Sequence, residues 1–311
     1  MFFQRYKTYR TFIPMKKAFL VTVLLCLLTG LPGQAGKPKT AAPGPEIPSQ
    51  WNGARVALLG DSITDANQLK SQDIYWHQLI PSLGIEPFCY GISGHQTRHI
   101  LGQAEKLLAE HGQDVDAILI FIGTNDFNAS IPLGDWYREE TVTVNRKGNP
   151  ATLRHRVRVL EGETVRARIN RFMAFLKHNY PTKQIILLTP IHRGYFNCDR
   201  TNVQPEESYA NPLGLYIDDY ARVIKETADV WAVPVIDLGS LCGLLPTETE
   251  HARYFRESMK ERAHTAAEAA AAAPGTELAL EKHDLLHPNT DGQLRMAYAL
   301  AYRLLGYPAR F

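Results

Sequence analysis

Val56-Ala57-Leu58-Leu59-Gly60-Asp61-Ser62-Ile63-Thr64-Asp65 is the stretch from which the rest of the chain can be read. Its first four residues form an unbroken apolar run, too short for a helix and suited to a parallel strand buried on both faces. A glycine and two small polar residues then stop the run. Four similar runs follow at residues 88–90, 117–121, 185–189 and 233–236. Between them, residues 75–81, 99–111, 166–179 and 216–229 carry helix-like spacing. This alternation predicts an α/β fold, a doubly wound sheet of five parallel strands with helices on both faces. Ligands of such folds sit at the carboxyl ends of the strands.

Ser62 leaves the first strand on a tight turn that exposes its hydroxyl and enters a helix whose N-terminal field favours developing negative charge. Capping of the next helix is the simpler role for an isolated Gly-Asp-Ser. The Gly-x-Ser-x-Gly elbow of the α/β-hydrolases is not what the sequence spells here. Near the other end, Asp284-Leu285-Leu286-His287-Pro288-Asn289 sets a carboxylate and an imidazole three residues apart. On one turn of chain, such an Asp holds one ring nitrogen while the other faces a nucleophile. No second His or Cys stands at zinc-ligand spacing from it. Gly91-Ile92-Ser93-Gly94-His95 and Ile122-Gly123-Thr124-Asn125-Asp126 follow the second and third strands. A glycine amide and an Asn side-chain amide are suitable donors to the oxyanion of an acyl transfer.

In order along the chain, Ser62 in Gly60-Asp61-Ser62, Gly94 in Ile92-Ser93-Gly94, Asn125 in Gly123-Thr124-Asn125-Asp126, and Asp284 with His287 form a set. The set resembles the four blocks of the GDSL-type esterases of the SGNH hydrolase superfamily, and the resemblance runs from Arg55 to Leu305. It implies a three-layer α/β/α sandwich whose five parallel strands follow the flavodoxin-like order 2-1-3-4-5. It further implies ester hydrolysis without a metal or organic cofactor. Ser62 would be the nucleophile, His287 the base and Asp284 its orienting partner. The amides of Ser62 and Gly94 and the side chain of Asn125 would form the oxyanion hole. Two positions depart from the family pattern: Ile63 stands where the motif has Leu, and His95 follows Gly94 where relatives frequently carry an acid.

The 311 residues accommodate two domains or one α/β domain with insertions. With 45% hydrophobic and 21% charged residues, the composition excludes wholesale disorder and a small disulfide scaffold. The formal net charge of +2 hides an asymmetry. Arg5, Lys7, Arg10, Lys16 and Lys17 lie in the first 35 residues, which contain no acid, so the remainder holds 29 of the 34 bases against 32 acids and is net −3. Such a chain lacks the basic surplus that draws a protein to nucleic acid or an anionic membrane.

Residues 1–35 read as a secretory signal peptide, with Lys16-Lys17, the apolar run 18–28, and small residues Gly33 and Ala35 at a cleavage site. The run is short for a stable membrane span, and Met15 offers a second start. Leu25 is bulky for a lipobox before Cys26. Residues 36–50, rich in Pro, Ala and Gly, read as a flexible linker, so the hydrolase domain is expected over 51–311 in an exported protein, periplasmic or extracellular. Cys89, Cys198 and Cys242 then remain, and their wide spacing predicts buried thiols rather than a disulfide framework.

Two insertions interrupt the alternation. Residues 140–160 read as a hairpin with a basic face from Arg154, Arg156 and Arg158, on the ligand side of the sheet, serving either as a wall for an acidic ligand or as a solvated arm. Residues 263–273 are an alanine-rich surface helix ended by Pro274-Gly275. Trp136, Tyr137, Tyr195 and Phe196 are loop aromatics of a kind that stacks on sugars, and His192 and Arg193 follow the fourth strand. Trp136, Tyr195, His192 and Arg193 are therefore the candidate substrate-binding residues. The expected substrate is a small-molecule or glycan ester, with O-acetylated carbohydrate preferred, and no protein partner is implied. The rival readings are a lysophospholipase, thioesterase or arylesterase of the same family, and a non-catalytic carbohydrate-binding protein on the same fold. A metal-dependent phosphoesterase built on Asp61, Asp65, Asp126 and His95 is a further one.

Overall fold

A computed structural model describes residues 49–67, 74–197, 202–256 and 284–310. The expected signal peptide, most of the linker, Cys198 and the alanine-rich stretch lie outside the described residues. In chain order the described elements open with β1 (Arg55–Gly60), α1 (Tyr75–Leu83), β2 (Glu86–Cys89), α2 (Thr97–His111), β3 (Ala117–Phe121) and α3 (Thr124–Asn128). Then come β4 (Tyr137–Arg146), β5 (Asn149–Arg158), α4 (Val165–Asn179), β6 (Gln184–Leu188), β7 (Phe196–Asn197), β8 (Val203–Gln204) and α5 (Ile217–Trp231). The last are β9 (Val235–Ile236), α6 (Leu238–Leu241), α7 (Thr249–Ala252), β10 (Phe255–Arg256), β11 (Asp284–Pro288) and α8 (Thr290–Leu304).

The apolar runs become the central sheet because each can be buried on both sides. Five parallel strands lie in the order β2-β1-β3-β6-β9. This is the expected flavodoxin-like order once the intervening hairpin strands are numbered. Side-chain alternation splits each strand between two cores. Val56, Leu58, Leu119, Phe121, Ile186 and Leu188 face a core shared with α1 and α8. Ala57, Leu59, Ile118, Ile120, Ile185 and Leu187 face the other, shared with α2, α4 and α5. The sheet is thus sandwiched between two helix layers. Register sets its upper edge: Gly60 pairs with Phe121, Phe121 with Leu188, and Leu188 with Ile236, so four strands end level.

A second, antiparallel sheet, β10-β11-β7-β8, carries Asp284 and His287 and was not foreseen. The sequence reading put those residues on a turn, whereas the structure places them on β11. A regular strand would point residues three apart to opposite faces. Here Phe255 pairs with Pro288 while its neighbour Arg256 pairs with Asp284, so the register shifts between these rungs. The resulting irregularity folds Asp284 and His287 back onto one another.

The hairpin starts at Tyr137, earlier than expected. Its turn residues Lys147 and Gly148 have φ of 54° and 85°, the left-handed pair that suits a tight two-residue hairpin. The arm is rooted on α4 and α5: Arg158 donates to the Val230 carbonyl at 3.1 Å and lies 4.1 Å over the Trp231 ring, and Asn170 donates to the carbonyls of Trp136 and Val159. Most of its residues beyond that root are exposed. Among the described residues, no helix is long and apolar enough to cross a membrane.

Phe172, fully buried on α4 in the second core, should lose about 3–5 kcal/mol on replacement by Ala. Replacing residues 140–155 by a two-glycine turn, which rejoins the paired Glu139 and Arg156, should leave the urea midpoint of the body nearly unchanged. Equilibrium urea unfolding checks both, and a collapse of cooperativity on removing the arm would show that the arm is part of the body.

Candidate active site

The end of β1 leaves no room for a side chain at Gly60, where an added Cβ would lie 2.6 Å from Thr64 Oγ1 and 2.7 Å from the Phe121 carbonyl. Beyond it the chain turns sharply. The Asp61 carbonyl accepts from the amides of Thr64 and Asp65, and Asp61 Oδ1 accepts from the Ile63 amide at 3.1 Å. Ser62 Oγ lies 2.8 Å from His287 Nε2, and His287 Nδ1 lies 2.8 Å and 3.1 Å from the two oxygens of Asp284. A carboxylate only accepts, so Nδ1 carries the ring proton and donates it to Asp284, which leaves Nε2 to accept from the Ser62 hydroxyl. All three are withdrawn from solvent, with Ser62 6%, His287 4% and Asp284 0% exposed. The His287 amide also donates to Asp284 Oδ1 at 3.1 Å.

Two side chains border this chain of hydrogen bonds. Arg256, buried on β10, brings its guanidinium to 3.8 Å from Asp284, and Phe196, read from the sequence as a loop aromatic, sets its ring edge-on to His287 at 5.9 Å. Arg256 has no local sequence signature, because it reaches the site through the second sheet.

Gly94 and Asn125 come from the loops after β2 and β3. Gly94 has φ of 78°, which glycine adopts freely. Asn125 Nδ2 donates to the His95 carbonyl at 3.0 Å, which ties the two loops together and uses one of its two hydrogens. Carboxylates and amides fasten these loops further. Asp65 Oδ2 accepts from the Ser93 amide at 3.0 Å. Asp126, with no exposed surface, accepts from the Thr97 amide at 2.9 Å, the Thr97 hydroxyl at 2.6 Å and Arg168 Nη1 at 3.2 Å. Gln103 of α2 accepts from the Gly60 amide at 2.9 Å, donates to the Gly60 carbonyl at 2.8 Å, and lies 2.8 Å from His95 Nδ1. Gln103 and Arg168 did leave a trace in the sequence. Each is a polar residue set into the inward stripe of its helix, beside Ile100 and Leu107 or Val165 and Phe172.

Asp61, Asp65, Asp126 and His95 do not converge as a metal-binding donor set: the carboxylates of Asp65 and Asp126 are turned to the donors just named. Among the described residues, no group of three His, Cys, Asp or Glu is arranged to hold a metal ion. The described thiols, Cys89 and Cys242, are free, and burial pushes both up.

The expected substrate-binding residues scatter. Tyr195 borders the site, its carbonyl accepting from the Leu285 amide at 3.0 Å beside the β11 irregularity. His192 Nδ1 pairs with Glu207 at 2.7 Å, and this hydrogen bond holds the imidazole above its usual range. Arg193 is not at a surface where substrate arrives. It is buried, donating to Asn128 at 2.5 Å and the Pro205 carbonyl at 2.9 Å with Phe127 beneath it, and burial pushes it down to about 10. Trp136 donates to Glu226 at 2.6 Å and packs on α4 and α5 at the root of the hairpin. Tyr137 also belongs to the arm. A cavity of about 480 Å³ opens beside His192, Glu207, Tyr216, Asp218 and Thr247, and its lining does not include Ser62.

Burial pushes the Asp61 carboxyl up to about 7, with Asp126 adding to the effect. As pH rises from about 4 toward 7, the unfolded chain ionises this group while the folded chain keeps it protonated, so folding loses stability across that window. Asp61→Asn should therefore show a smaller drop in urea midpoint than the wild type between about pH 4.5 and 7.5. Parallel curves would assign the loss to another group.

A sequence profile of the GDSL-like lipase/acylhydrolase family matches residues 58–295. No curated protein matches the chain. Among solved structures, a protein from Lactobacillus plantarum is 23% identical, with a TM-score of 0.54 over 82% of this chain and 98% of its own. A possible lipase from Chitinophaga pinensis is 20% identical, with a TM-score of 0.53 over 81% of this chain and 98% of its own. Those two share the fold. The profile spans both the Gly60-Asp61-Ser62 turn and the Asp284–His287 segment, and on that match the chain belongs to the GDSL-like lipase/acylhydrolase family of ester hydrolases.

Proposed function

We propose that the protein is an exported serine esterase that removes O-acetyl groups from carbohydrate. The observation that carries the reading is the continuous chain from Ser62 Oγ through His287 to Asp284, 2.8 Å at each link. As the ester enters, Ser62 Oγ attacks its carbonyl carbon and passes its proton to His287 Nε2. The resulting imidazolium is stabilised by the Asp284 carboxylate. The oxyanion is received by the amides of Ser62 and Gly94 and by the second Nδ2 hydrogen of Asn125. His287 then protonates the leaving alcohol, and water, deprotonated by the same imidazole, releases the acid from Ser62.

The choice of a small acyl group rests on the burial of Ser62 and His287. The choice of a hydroxyl-rich alcohol rests on the carboxylates of Glu207 and Asp218 and the ring of Tyr216 in the cavity beside His192, a lining separate from Ser62 that would hold a part of the alcohol remote from the ester. Export rests on residues 1–35, through the basic start, apolar run and small residues at 33 and 35.

Acetate release from acetylated glycans, measured beside p-nitrophenyl esters of increasing acyl length, tests the substrate. Acetate from a glycan is expected, and preference for long acyl chains with inert glycans would move the assignment to lipid or thioester substrates. Ser62→Ala should fold normally and lose turnover by on the order of a millionfold. Asn125→Ala should lose roughly a hundred- to thousandfold in kcat, and an unchanged rate would remove it from the oxyanion hole.

A further inference from the structure

The hairpin β4–β5 stands off the body with one face unlike the other. Register puts Glu140, Val142, Val144 and Arg146 of β4 on the same face as Leu153 and Ala151 of β5, with Val142 opposite Leu153 and Val144 opposite Ala151. Val144 is 40% and Leu153 38% exposed. The opposite face carries the ion pairs of Glu139 with Arg154 and Arg156, while the apolar pairs are flanked on their own face by the Glu140–His155 pair and by Arg146. An isolated two-stranded ribbon is marginal in water, and apolar pairs at its middle gain stability only if something covers them.

We propose that a second copy of this chain covers them, hairpin face on hairpin face, about a two-fold axis. The pattern is self-complementary about a point between the Val142–Leu153 and Val144–Ala151 rungs. An axis there, lying between the two ribbons and across their strands, reverses strand direction and lays each β4 over the partner's β4. Val142 then meets the partner's Val144, and the large Leu153 meets the small Ala151 of the partner subunit. One rung further out on each side, Arg146 meets the partner's Glu140, twice by symmetry. Charge and size both match in this register. A two-fold axis along the strands would instead lay β4 over the partner's β5, setting Arg146 against Asn149 and leaving it without a carboxylate, and pairing of strand edges would leave the apolar face in water. Strands of ten residues reach about 33 Å, so the contact is smaller than a standard interface and the association is weak and reversible.

Sedimentation velocity of the purified chain from about 1 to 200 µM tests the proposal. A reversible monomer–dimer equilibrium is expected. Val144→Glu with Leu153→Glu should abolish it, while thermal melting and hydrolysis of a small ester stay at wild-type values, since the arm is rooted away from Ser62. Arg146→Glu alone should weaken the dimer by roughly tenfold or more, and adding Glu140→Arg should restore it. A chain monomeric throughout the range overturns the proposal. So does a dimer indifferent to Val144→Glu with Leu153→Glu, and failure of the charge exchange to restore association overturns the antiparallel register.

Discussion

Both backbone hydrogen-bonding groups of Gly60 are closed by one side chain, the Gln103 amide, and the residues of the site are placed from that junction. Gly60 is the last residue of β1, where the parallel ladder stops and the chain must turn without room for a side chain. A buried amide left unpaired there would cost on the order of 1–3 kcal/mol, so the turn keeps its shape only while α2 stays docked. The same helix begins at Thr97, whose amide and hydroxyl hold Asp126, and its preceding loop holds Asn125 through the His95 carbonyl. One helix therefore fixes the mutual position of the proposed nucleophile and the proposed oxyanion donors.

Charge is used in the same way. Arg168 and Asp126 are both buried, and the pair is joined by Thr97 and by Glu163 at the surface end of the guanidinium. Removing two charges from water is costly, and a buried pair rarely adds net stability. What it adds here is definition, because the pair links α4 to the start of α3 behind Asn125. On the other side of the site, Arg256 stands to Asp284 in a comparable relation. The catalytic geometry proposed for Ser62, His287 and Asp284 is thus backed by polar contacts that lie deeper than the triad itself.

Much of this was legible from residue pattern alone. The apolar runs and their spacing gave five parallel strands, because strands buried on both faces must be apolar throughout, and the order followed from the family resemblance. The first three motif blocks fell at strand ends, where the fold gathers them, and the sequence profile covers the stretch of all four. The second sheet was not legible, since β7, β8 and β10 are two residues long each and leave no periodicity. For the same reason Arg256 was invisible, Phe196 was legible only as a loop aromatic, and Asp284–His287 reads as a turn. Arg193 and Trp136 meet a different limit: residue type suggests ligand contact, whereas internal partners such as Asn128 and Glu226 are decided by tertiary packing.

The paired ends of β10 and β11 bear on how this chain can vary. Arg256 and Asp284 are neighbours across a ladder although 27 residues separate them in sequence. Closure cost grows slowly with length, about 0.6 kcal/mol per doubling, so two residues paired across a ladder keep their relation when the length of chain between them changes. A change of length between Arg256 and Asp284 is therefore expected to leave the imidazole and carboxylate in position. That interval is a natural graft point at which new surface can be added to an unchanged centre.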